Sequence, residues 1–132
     1  MNPKTELILR WLSKAEDDLK IAKITFNDPE PVHWIAAFHA QQAAEKYLKA
    51  LLVYQDTEFG KTHDIGYLLQ LCKNCQAEIE KFKQYAIILT DFAVESRYPF
   101  PRTEPSRDET KQAIETAHLI GQFVIGKLPQ NF

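Results

Sequence analysis

Residues 38–52 read FHAQQAAEKYLKALL, and the spacing within this stretch decides which fold the chain can adopt. Wound at about 100° per residue, the segment from about Val32 to Gln55 gathers its apolar residues into one broad arc. Ala36, Ala37, Ala40, Ala43, Ala44, Tyr47, Leu48, Ala50, Leu51 and Tyr54 fall within it, and Trp34, Phe38 and Leu52 carry it past half the circumference. An arc this wide predicts a helix touching several neighbours at once, with the alanines allowing close approach. His39, Gln42, Lys46 and Lys49 fall on the remaining side, while Gln41 and Glu45 sit one turn apart at the edge of the arc.

The flanking sequence supplies the partners. From about Lys4 to Phe26, the series Ile8, Trp11, Leu12, Ala15, Leu19, Ala22 and Phe26 has the spacing of an amphipathic helix, with Lys14, Glu16, Asp17 and Lys20 on a solvated face. Asn27-Asp28-Pro29-Glu30-Pro31 ends it, because proline cannot continue the hydrogen-bond ladder. After the turn Asp56 to Gly60, a short helix is expected at about Asp64 to Lys73, with Thr62 as its N-cap and Asp64 favourably near its positive end. A fourth helix is expected from about Gln76 to Arg97, stopped by Pro99 and Pro101. The last begins at the capping box Ser106-Arg107-Asp108-Glu109 and continues through Ala113, Ala117, Ile120 and Val124. No strand or internal repeat is evident. The expectation is one all-α domain over residues 1–132, an antiparallel up-and-down bundle of four long helices plus one short helix.

Composition narrows the function classes. With 132 residues, 45% hydrophobic and 26% charged, the chain can bury a core and is not a disordered segment. A formal net charge of −2 argues against a generally basic, nucleic-acid-coating surface. No apolar run reaches the roughly 18–20 residues of a membrane span, and the charged N-terminus MNPKTELILRWLSKAEDD is no signal peptide, so a cytoplasmic protein is expected. Cys72 and Cys75 form a lone C-x-x-C at the end of a helical run and read as two reduced, partly buried thiols. The histidines His33, His39, His63 and His118 are not spaced to complete a metal site, so neither metal nor cofactor is expected.

The second helix also carries a family resemblance. Phe38, Gln41-Gln42-Ala43-Ala44-Glu45-Lys46 and Lys49-Ala50-Leu51 resemble the HEPN domain, a helical module. The resemblance continues through Thr62-His63-Asp64, Glu95-Ser96-Arg97-Tyr98-Pro99 and the final helix entered through Glu109 and Thr110. It implies a helical bundle that commonly forms homodimers, often works beside a minimal nucleotidyltransferase, and binds nucleotide or, in one branch, cleaves RNA as a toxin. That branch carries an arginine, four to six intervening residues and a histidine. Here the positions that would answer Arg97 hold Arg102, Thr103 and Glu104, and no other arginine has the partner. The resemblance therefore implies a non-catalytic module for a nucleotide, an RNA or a nucleotidyltransferase partner, in a toxin–antitoxin-like pair. The alternatives are a ribonuclease with a degenerate site, in which His63 or His39 replaces the missing histidine, and a purely structural adaptor.

The candidate ligand-binding residues are Arg97, Tyr98, Gln42, Lys46, Lys49 and His63. Arginine can fork onto a phosphate, and tyrosine can stack on a base. Gln41, Glu45 and Asp64 are expected in structural or interface roles, because polar groups beside an apolar arc need partners.

Overall fold

The computed structural model describes residues 2–78, 80–85 and 104–130. Among the described residues the protein is an all-α bundle of five helices. Helix α1 spans Pro3–Phe26, α2 His33–Tyr54, α3 Ile65–Leu71 and α5 Arg107–Lys127. Residues 76–78 and 80–85 are helical and belong to α4.

Each boundary has a local cause. Asn2 caps α1, its Oδ1 accepting from Thr5 N at 2.8 Å, and Pro3 occupies the first turn, where a missing N–H costs nothing. At the other end Lys23 O accepts twice from Asn27, from its backbone N at 3.0 Å and from its side-chain Nδ2 at 2.9 Å, which fastens the last turn. The capping box of α5 closes both ways: Glu109 N donates to Ser106 Oγ at 3.0 Å and Ser106 N to Glu109 Oε1 at 2.9 Å. The short helix departs from expectation. Its N-cap is Asp64, whose Oδ1 accepts from Tyr67 N at 3.1 Å, while Thr62 Oγ1 accepts from Asp64 N at 3.1 Å and shapes the turn before it. Its last residue is Leu71.

Helix α2 is the centre of the bundle, with α1, α3 and α5 packed on it, whereas α1 and α5 touch each other much less. Its six alanines at 36, 37, 40, 43, 44 and 50 are fully buried, as are Leu48, Leu51 and Leu52. The stripe of α1 contributes Ile8, Ala15, Leu19 and Ala22, and α5 contributes Ala113, Ala117, Ile120 and Val124. From α4, Phe82 packs on Phe123 of α5 with ring centroids 6.3 Å apart. Among the described residues no helix is long and apolar enough to cross a membrane.

The turn that carries the cysteine pair is held by the side chain that follows α2. Gln55 mimics a backbone partner: its Nε2 donates to Lys73 O at 3.1 Å and its Oε1 accepts from Lys73 N at 2.8 Å. This pins the turn between α3 and α4, and both thiols beside it are buried and free. Burial, reinforced by Cys75, pushes the Cys72 thiol from its ordinary 9.0 up to about 12. The unfolded chain therefore ionises this thiol first, and its contribution to stability is complete below about pH 9 and lost as pH climbs toward 12. At pH 10.5 the expected loss is about 2 kcal/mol relative to pH 8. Urea denaturation at both values should show a steeper loss for the wild type than for Cys72→Ala. Equal losses would mean that the thiol is already hydrated in the fold.

Candidate functional site

A cleft of about 510 Å³ opens where α1, α2 and the loop before α3 meet, lined by Trp11, Glu45, Lys46, Lys49, Phe59, Gly60, Lys61 and His63. Its size is that of sites for small organic ligands. Helix α2 supplies Glu45 and Lys49 one turn apart, so both side chains face the same neighbours. The loop supplies Phe59 and His63, and α1 supplies Trp11.

Glu45 organises the inner wall. Its side chain is 4% exposed and its two oxygens are divided among three partners. Lys49 Nζ donates to Oε2 at 3.2 Å, and Gln41 Nε2 to Oε1 at 3.4 Å. His63 Nδ1 lies 2.7 Å from Oε1. A carboxylate only accepts, so Nδ1 carries the proton, and Nε2, an acceptor in the neutral ring, has no hydrogen-bond partner among the described residues. Gln41 Nε2 also donates to His63 O at 3.1 Å, tying the loop to α2 through backbone as well as side chain. Gln41 is fully buried, so this double use satisfies a group that could not otherwise be tolerated there.

Lys49 differs from its expected setting on the polar side of α2: it is 6% exposed. Two aromatic side chains from other elements cover it. Its Nζ lies 5.5 Å from the ring centroid of Trp11 and 5.4 Å from that of Phe59, so the ammonium sits against two π faces as well as its carboxylate. The rings meet edge to face, centroids 6.3 Å apart at 72°.

Behind the cleft lies a second charged group. Asp18 of α1 accepts from Lys46 Nζ and faces His39 Nδ1 at 2.9 Å, with its side chain 13% exposed. His39 and Lys46, two helical turns apart on α2, thus share one carboxylate across the α1–α2 interface. Lys46 connects this group to the cleft.

Of the sequence candidates, Lys46, Lys49 and His63 come together in the cleft, with Glu45 beneath them. Gln42 stands outside the lining and donates through Nε2 to Gln41 Oε1 at 2.7 Å. Asp64 is occupied as the α3 cap. Arg97 and Tyr98 lie outside the described residues. Sequence reading did not single out Asp18, Trp11, Phe59 or Lys61 as part of a site. Among the described residues no group of three or more histidine, cysteine, aspartate or glutamate side chains could hold a metal ion.

An all-α bundle with a polar network between its central helix and the loop before a short third helix defines a class of small helical modules, and comparison with known proteins supplies the family. The match to the HEPN domain covers residues 8–128, and the chain belongs to that family. It is similar to a crystal structure of an archaeal HEPN homologue, with 29% identity and a TM-score of 0.73, over 91% of this chain and 96% of that one. A structure from Thermus thermophilus is also 29% identical, with a TM-score of 0.80 over 92% of this chain and 98% of its own. No curated protein matches the chain.

Proposed function

We propose that this HEPN protein is a non-catalytic binding module that holds a nucleotide in the cleft between α1, α2 and the 55–64 loop. The observation that carries this reading is the juxtaposition of two half-buried aromatic rings, Trp11 and Phe59, with Lys46, Lys49, Lys61 and His63 in one cleft. A base needs a flat apolar surface and a phosphate needs cations and N–H donors, and the lining offers both. Glu45 and Gln41 hold Lys49 and His63 in place, so little has to be ordered when a ligand arrives. The module acts as a single domain over residues 1–132, homodimeric and cytoplasmic, beside a nucleotidyltransferase partner in a toxin–antitoxin-like pair. Arg97 and Tyr98 remain sequence candidates for the same ligand.

Titration of isotope-labelled protein with ATP, GTP, AMP and short RNA tests the ligand half. Saturable shifts are expected at the Trp11 indole, Lys49 and His63. Signals that stay still at millimolar nucleotide end that half of the proposal. Release of nucleotides from the RNA in the same tube would replace it with the ribonuclease alternative. The partner half is tested by isolating the tagged protein from its native cells, and a recovery without any nucleotidyltransferase counts against it.

A further inference from the structure

We infer that the cleft selects a nucleoside monophosphate, bound through Lys61 and His63 without a divalent metal ion, over a metal-complexed triphosphate or a nucleic-acid strand. The inference rests on the nucleotide reading above and follows from which charges in the lining are already matched. Lys46 is paired with Asp18, and Lys49 with Glu45. Among the described residues Lys61 has no ion-pair partner, and it is exposed on the loop. The cation left to meet an incoming anion is therefore Lys61, while Nε2 of His63, the acceptor nitrogen of its ring, can accept from the P–OH of a singly protonated phosphate. A phosphomonoester, with a charge of about −1.5 to −2, suits that set. A triphosphate brings more negative charge than the remaining cation can answer.

A triphosphate usually arrives with a divalent ion, which takes hard oxygen ligands, commonly carboxylates. Among the described residues lining the cleft the only carboxylate is Glu45, and His63, Lys49 and Gln41 occupy it. The neighbouring loop carboxylates are also engaged or ill-suited: Asp56 pairs with Lys4 at 3.0 Å and Asp64 caps α3. Glu58, beside Phe59, is exposed and would repel a longer phosphate chain crossing the loop. The rings add a limit on the base. Standing at 72° to each other, Trp11 and Phe59 offer one base a face and an edge, but do not make a platform for successive stacked bases.

Calorimetric titration of the intact protein with AMP, ADP and ATP, each with and without magnesium, and with a short single-stranded RNA, tests this. AMP should bind at least as tightly as ATP, magnesium should change either affinity less than twofold, and RNA should be weaker than AMP. Lys61→Ala should weaken AMP binding about tenfold and Lys61→Arg should restore it, while Lys4→Ala, on a surface ion pair outside the cleft, should leave it unchanged. ATP or magnesium–ATP binding tenfold more tightly than AMP overturns the selection but keeps a nucleotide site. Tighter RNA binding does the same in favour of a strand. Absence of binding by every nucleotide removes the site and the selection together.

Discussion

Replacing Glu45 with alanine should destabilise the fold by about 3–5 kcal/mol, the largest loss expected from any single polar substitution in the described chain. The cost comes less from the lost attraction than from what stays behind. Lys49, 6% exposed, would keep a buried charge with no counter-charge, while His63 Nδ1 and Gln41 Nε2 would lose an acceptor. Gln41 retains His63 O, so the greater part of the penalty falls on Lys49. Trp11 and Phe59 offset some of it, since a desolvated ammonium against an aromatic face is stabilised by up to about 2 kcal/mol. That places the expected value toward the lower end of the range.

A second substitution separates this account from simple loss of packing. Glu45→Leu alone should be about as damaging as Glu45→Ala, because it too strands the lysine. Glu45→Leu combined with Lys49→Met should recover most of the loss, since two apolar side chains of similar volume need neither desolvation nor pairing. Urea denaturation of the two single variants and the double variant supplies the coupling energy. A coupling near zero, or a loss below about 1 kcal/mol for Glu45→Ala, would show that Lys49 reaches water and that the ion pair is a surface one.

Where the sequence was legible and where it was not has the same physical origin. The arc on α2 could be read because helical periodicity is local, and its alanines and leucines are buried as that periodicity requires. The placement of Lys49 could not be read that way. It falls beyond the apolar arc, and what covers it comes from Trp11, 38 positions earlier, and from Phe59 in a loop whose path no local signal fixes. Asp18 is an intermediate case. It stands three residues after Ala15 and four before Ala22, in register with the buried stripe of α1, so its spacing alone marked it as an acid that must find a partner. That signal is missed when only the apolar positions of α1 are followed along its buried stripe and the acid between them is not placed on either face. The cap of α3 was ambiguous because Thr62 and Asp64 are both capping residues two positions apart. Both are used, one for the turn and one for the helix.

The second large effect should come from a residue with no side chain. A Cβ at Gly121 would stand 2.7 Å from Cε2 and 2.8 Å from Cζ of Tyr47, inside any normal contact distance. Tyr47 is 4% exposed, and the clash is with its ring, so relief requires moving the ring or separating α5 from α2. Glycine within a helix is otherwise unfavourable by about 1 kcal/mol relative to alanine, which Gly121 offsets by letting α5 lie close on the central helix. Gly121→Ala should gain that propensity and lose more to overpacking, for a net loss of about 1–2 kcal/mol, and Gly121→Val should lose about 3 kcal/mol or more. Gly126 on the same helix is the control: a Cβ there meets nothing within 4 Å. Gly126→Ala should therefore stabilise by about 0.5 kcal/mol. Helix propensity alone gives both alanine substitutions the same favourable sign, so opposite shifts in thermal midpoint would trace the difference to Tyr47. Gly121→Ala should then become nearly neutral in a Tyr47→Leu background, where the ring is gone. Persistence of the full loss there would place the constraint in the α5 backbone and not in its contact with α2.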